Sequence, residues 1–237
     1  MQDSTGPGTE GTQFTLTLVW RRTHRWVEVA GRAPRTQTAL RQAAEELENA
    51  LADHPDVTLR GAYSTAGLRP DSDLAFWLVG PDVSRLQAAA AALRRTSTGR
   101  ACELSHAFLG VARPPEYVGD HWAAFQVGKP PLGYLCLYPF VRKPEWYLLP
   151  HEERGRILKE HGLMGREFPE VQTNNVQAFG LGDWEWLLHF ECDRPERFTA
   201  LIRRLREAEA RRWTQVETPF IVGRRVQHLE EALAELG

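Results

Sequence analysis

The stretches DLAFWLVGPDVSRLQAAAAALRR (residues 73–95) and DWEWLLHFECDRPERFTALIRRLR (residues 183–206) decide the fold. Each opens on a turn aspartate and runs into an apolar segment of strand length. Each then passes through a turn, Pro81-Asp82 in one and Asp193-Arg194-Pro195 in the other, into a segment with helical spacing of apolar residues. Two occurrences of turn, strand, helix start and helix in one chain are most simply explained by duplication.

The pattern extends outward from both copies. Residues 14–20 (FTLTLVW) alternate as a strand does, and residues 36–52 carry Leu40, Ala44, Leu47 and Leu51 at helical spacing. Residues 57–64 and 74–79 read as strands, 83–93 as a helix and 102–111 as a strand. The second half repeats the order. It has a strand at 134–141, a helix at 150–160 stopped by Gly162, strands at 171–179 and 184–191, a helix at 195–210 and a strand at 215–222. Each half is β-α-β-β-α-β, the ferredoxin-like order. The expected class is α+β, with two tandem ferredoxin-like units, 13–112 and 133–237, forming a dimeric α+β barrel within one chain. Residues 1–12 read as a disordered polar tail. Residues 113–132 read as a linker whose length and aromatic content, Trp122 and Phe125, suggest a function.

Composition excludes several classes. The 237 residues carry 29 basic and 31 acidic side chains, a formal charge of -2, so no basic footprint points to nucleic acid. No apolar run approaches the roughly 18 residues of a membrane span. The N-terminus MQDSTGPGTEGTQ has neither a basic region nor an apolar one and does not read as a secretory signal. Cys102, Cys136 and Cys192 are widely spaced, odd in number and set in apolar segments, which points to buried thiols in a reducing, cytoplasmic compartment. Without a Cys-x-x-Cys pair, a structural zinc site has no support.

Three groups of residues could carry chemistry. His161 lies three and four residues after Leu158 and Ile157, on the apolar face of PHEERGRILKEHG. A histidine there is either a satisfied core residue or a ligand for a metal or haem iron. Gly162 and Gly165 would let the chain approach a flat cofactor. The segment LCLYPFVRKPEWYLLP holds Tyr138, Trp146 and Tyr147, which are either core anchors or radical carriers beside an oxidised cofactor. Arg142 and Lys143 between them suit carboxylate or phosphate recognition, or form a solvated strand end. His121, in VGDHWAAF, is a surface histidine or a general acid/base. The arginines of LIRRLREAEARRW read as a solvated, salt-bridged helix face.

Taken together, YPFVRKPEWYLLPHEERGRILKEHGLMGREF (138–168), GDWEWLLHFECD (182–193), LREAEARRW (205–213) and ETPFIVGRR (217–225) resemble the coproheme decarboxylases of the chlorite-dismutase-like superfamily. The resemblance is best in the actinobacterial branch and covers roughly residues 121–225. It implies that His161 is the proximal iron ligand and Tyr138 the tyrosine that becomes a radical. It implies that Trp146 lines the substrate, that Arg142, with Lys143 beside it, contacts a propionate, and that His121 is a distal base for peroxide. The implied reaction turns two propionates of iron coproporphyrin III (coproheme) into vinyls. Hydrogen peroxide is the oxidant, and haem b forms through a three-propionate intermediate. The resemblance also implies haem only in the second unit, a homopentamer, and transient contact with the coproporphyrin ferrochelatase.

One departure matters. Chlorite dismutases proper use a distal arginine shortly after the iron ligand, but no arginine lies between Arg166 and Arg194. The corresponding stretch is VQTNNVQAF, which puts Thr173 or Asn174 there and also lacks the distal glutamine of other decarboxylases. This shifts weight onto His121. The competing expectations are a haem-binding peroxidase or chlorite-decomposing protein, a non-enzymatic haem carrier or sensor, and an interaction module without cofactor.

Overall fold

The computed structural model describes residues 12–31, 36–114 and 122–237. They form two compact units, Gly11–Leu109 with Ile221–Gly237, and Gly110–Phe220. The first unit contains β1 (Gln13–Arg22), α1 (Trp26–Ala30), α2 (Thr36–Ala52), β2 (Thr58–Arg69), β3 (Ser72–Gly80), α3 (Val83–Arg95), α4 (Ser97–Ala101) and most of β4 (Cys102–Ala112). The strand order is β4-β1-β3-β2. Antiparallel pairing sets Leu16 opposite Leu78, Leu18 opposite Phe76 and Trp20 opposite Leu74. Opposed residues share a sheet face, so these six form one apolar surface. Leu40, Ala43, Ala44 and Leu47 of α2 and Leu86, Ala89 and Leu93 of α3 cover it. The start of α3 is fixed by Asp82, whose carboxylate accepts from the Arg85 N–H at 2.9 Å.

The second unit contains β5 (Tyr134–Arg142), α5 (Pro144–Leu148), α6 (His151–Gly165), β6 (Gln172–Gln177), β7 (Trp186–Cys192), α7 (Glu196–Leu205), a 3-10 turn (Glu209–Trp213) and β8 (Thr214–Val216). Its strand order, β8-β5-β7-β6, repeats that of the first unit. The fold is α+β with two ferredoxin-like sheets, as the repeat implies. The copies have diverged at the helix start. Where Asp82 caps α3, Asp193 turns instead to the Gly133 N–H, at 2.8 Å, and α7 has no side-chain cap.

The chain does not divide at 133–237. After β8 come β9 (Ile221–Arg225) and α8 (Leu229–Ala234), and both join the first unit. Tyr63 of β2 pairs with Arg225, and Leu229, Leu233 and Leu236 enter the first core. The expected strand 215–222 is therefore two strands. Between them a cis bond precedes Pro219, which has no N–H to give a ladder. The expected helix 195–210 ends at Leu205 and resumes as the 3-10 turn. In α6 the helix runs through Gly162 to Gly165, because a mid-helix glycine costs only ~1 kcal/mol and the Gly162 carbonyl accepts from the Arg166 N–H. All three cysteines are free, and burial pushes the Cys136 thiol up to about 12. No helix of the described residues is long and apolar enough to cross a membrane.

Candidate porphyrin site

Tyr138 sits mid-strand in β5. Register puts Cys136, Tyr138 and Phe140 opposite Phe190, Leu188 and Trp186 of β7, and these opposite Thr173, Asn175 and Gln177 of β6. All nine share one sheet face. The other face holds Leu135, Leu137, Leu187, His189, Glu191, Asn174 and Val176, all of them buried. On Tyr138's face, Phe140, Thr173, Gln177, Trp186 and Leu188 are only half-buried. Tyr138 stacks on Phe220 at 4.4 Å and meets Phe190 edge-on at 5.7 Å. Burial lifts its phenol well above the usual range. Glu217 and Cys136 reinforce the shift, while Arg206 and Arg211, both bonded to Glu217, oppose it. The group is thus a neutral phenol at any working pH.

Arg142 ends the strand, where the β5–β8 register shifts by one residue, Gln215, on β8. The guanidinium is buried, lying 4.7 Å from the Phe140 ring centroid and 4.3 Å from that of Trp146. Its Nη1 donates to the Ala210 carbonyl at 3.0 Å. Among the described residues no carboxylate forms an ion pair with it. Burial pushes its pKa down to about 10, so it keeps its charge at neutral pH. Lys143 follows at the start of α5 with an exposed side chain, and its backbone N–H donates to the Trp213 carbonyl at 2.7 Å.

Trp146 joins this corner to α6. It packs with Ile157, Ala208 and Ala210, and Tyr147, Leu158, Met164 and Trp213 surround the cluster. His161 lies in α6 between Leu158 and Met164, one turn after Ile157, and is itself half-buried. The imidazole-bearing stripe of α6 therefore packs, through Trp146 and Arg142, on the side of the sheet that presents Tyr138. Apart from Ile157, no residue of α6 is fully buried. A methyl added at Gly162 or Gly165 would meet no atom within 4 Å, so packing inside the chain does not impose these glycines.

His121 lies outside the described residues. The segment after it is anchored on β6, where the Ala124 N–H donates to the Thr173 carbonyl at 3.1 Å and the Phe125 N–H to Asn174 Oδ1 at 3.0 Å. Asn174 also donates to the His189 carbonyl and to Glu191, at 3.2 and 3.1 Å. It is fully buried on the face opposite Tyr138 and spent on these bonds. Of the two residues expected at the distal place, Thr173 is the one on Tyr138's face.

Sequence reading had missed Glu185 and the outer aromatic wall. Glu185 Oε2 accepts from the Arg142 backbone N–H at 2.7 Å and from the Tyr147 hydroxyl at 2.6 Å. Phe179 meets Tyr147 and Trp186 edge-on, at 5.8 and 5.7 Å. A lone glutamate between two tryptophans carries no periodicity that would single it out.

The donor set suits a porphyrin with carboxylate arms. It offers a stripe with an imidazole, a half-buried aromatic sheet face, and a buried guanidinium with donors beyond the one given to Ala210. Duplicated ferredoxin-like sheets with this corner on the second define the class, an α+β protein of two tandem units. Comparison makes the assignment specific. The sequence profile of the chlorite dismutase family matches residues 40–226, and the chain belongs to that family. It is 44% identical over 181 residues to the coproheme decarboxylase of Mycolicibacterium smegmatis, covering 76% of this chain and 78% of the relative. It is 30% identical over 185 residues to the coproheme decarboxylase of Thermus thermophilus, with 73% of each covered. The chlorite dismutase of Candidatus Nitrospira defluvii in complex with imidazole has the same fold, with TM-score 0.83, 21% identity and 96% of each chain covered.

Proposed function

We propose that this enzyme is a coproheme decarboxylase that uses hydrogen peroxide to convert two propionates of iron coproporphyrin III to vinyls, yielding haem b. The observation that carries the proposal is Arg142. A buried guanidinium with no ion-paired carboxylate among the described residues invites an anionic partner, because an uncompensated buried charge is costly. It sits on the Tyr138 side of the sheet, beside the stripe that bears His161.

When bound, coproheme supplies the redox centre that peroxide oxidises and the carboxylates that are lost. His161 would hold the iron through its imidazole. Arg142 holds a propionate by charge-assisted hydrogen bonds, and Trp146 closes the pocket over it. Tyr138, kept protonated by burial, gives up its proton together with an electron. Its phenoxyl radical takes a hydrogen atom from the propionate carbon next to the ring. Loss of a second electron and of carbon dioxide leaves the vinyl. For each arm, one peroxide accepts the two electrons and leaves as two waters. His121 is assigned the base that deprotonates peroxide, on the strength of the family motif and the anchored segment after it.

Purified protein incubated with iron coproporphyrin III and then peroxide should give the three-propionate species followed by haem b by mass spectrometry. Unchanged coproheme, with oxygen released from chlorite instead, would reject the reading. The proposal extends to a homopentamer, which mass photometry would report directly.

A further inference from the structure

Resting on that reading, we infer that Glu185 is the positioning residue of the carboxylate site, fixing the strand end from which Arg142 reads a propionate. The β5–β7 pairing ends at Phe140 and Trp186, so the Arg142 N–H, two residues on, has no strand partner. A buried amide left without a partner is costly, and Glu185 Oε2 supplies one at 2.7 Å. The same oxygen accepts from the Tyr147 hydroxyl, on the next element, at 2.6 Å. The Glu185 N–H in turn donates to the Phe140 carbonyl at 3.3 Å, and its carbonyl accepts from the Ala178 N–H at 2.8 Å. One residue therefore ties together the end of β5, the body of α5 and the turn before β7. Phe140, Arg142 and Trp146, which form the ring-guanidinium-ring stack, all lie between those ties. Glu185 makes no side-chain bond to the guanidinium, so it acts on the backbone from which Arg142 springs.

The test is a double-mutant cycle read by titration with iron coproporphyrin III. Glu185→Ala should weaken binding by about tenfold, the scale of a lost supporting contact. Glu185→Gln, whose amide oxygen accepts both bonds, should stay within about twofold of the parent. In an Arg142→Ala background, Glu185→Ala should change nothing further. Independent, multiplying losses, or equal losses from Ala and Gln, would overturn the inference. A second readout needs no porphyrin. The near-UV circular dichroism of the Trp146–Trp213 pair, 6.1 Å apart, should shift in Glu185→Ala as in Arg142→Ala and not in Glu185→Gln. An unshifted Glu185→Ala spectrum would contradict the positioning role. A parent that binds no coproheme while the spectral pattern holds would reject the substrate and leave the positioning role standing.

Discussion

The two units use one strand order for different ends. In the first, α2 buries Leu40, Ala43, Ala44 and Leu47 against a face made of Leu16, Leu18, Trp20, Leu74, Phe76 and Leu78. In the second, α6 fully buries Ile157 alone, and the sheet face that bears Tyr138 is partly open. Subtracting 110 from the second copy's numbers aligns the repeat and exposes the change. Leu78 corresponds to Leu188 and Phe76 to Trp186, and the first of each pair is fully buried where the second is half-buried. A layer closed by helix packing in one copy stays partly open in the other. Duplication thus lets one copy supply stability while the other gives up packing for a ligand layer.

The comparison can be broken at several points. The largest effect belongs to Tyr138. Tyr138→Phe should cut peroxide-driven haem b formation by roughly a thousandfold, about 4 kcal/mol in barrier, with coproheme titration unchanged. Normal turnover would remove the radical role. Next, Leu78→Ala should cost about 3 kcal/mol in urea unfolding of the apoprotein, whereas Leu188→Ala at the matching position should cost about 1 kcal/mol. Equal losses would mean that the two layers are packed alike. Arg142→Ala should weaken coproheme binding by about 10- to 100-fold without comparable loss of stability, since the charge it removes has no ion-pair partner among the described residues.

A smaller effect concerns acid. Burial pushes His189 down to about 3, and a hydrogen bond with the Asn174 backbone only partly offsets this. The unfolded imidazole titrates near 6.5, so below that pH the unfolded chain binds a proton that the folded one does not. This contribution is complete above pH ~6.5 and is lost as pH falls toward 3, by at most about 1.4 kcal/mol per unit. Urea midpoints measured across that range should show the slope in the parent and a shallower one in His189→Gln. The smallest effect is local. Asp82→Ala removes the α3 cap and should cost about 1 kcal/mol with no change in porphyrin binding.

Much of this was legible in the residues because periodicity and turn chemistry are local. The helix over residues 36–52 and the strands around Leu78 and Leu188 follow from spacing alone. The long motif joined Tyr138, Arg142, Trp146 and His161, and the structure adds direct contact between Arg142 and Trp146. Long-range features were not legible. That β9 pairs with β2 depends on partners more than 150 residues apart, as does the entry of Leu229 and Leu233 into the first core. Glu185 was invisible because its role is to satisfy an amide left over where the β5–β7 pairing ends. The faces that Thr173 and Asn174 occupy were not legible either, because they follow from the register of β6 on β7.

The most direct test of the central claim, that the second unit alone carries the porphyrin site, is a stoichiometric Soret titration of the apoprotein with iron coproporphyrin III, beside His161→Ala. The account predicts one coproheme per chain in the parent and loss of the ligated Soret band in the variant, with the fold intact by circular dichroism. Two equivalents per chain, or an unchanged band in His161→Ala, would contradict it.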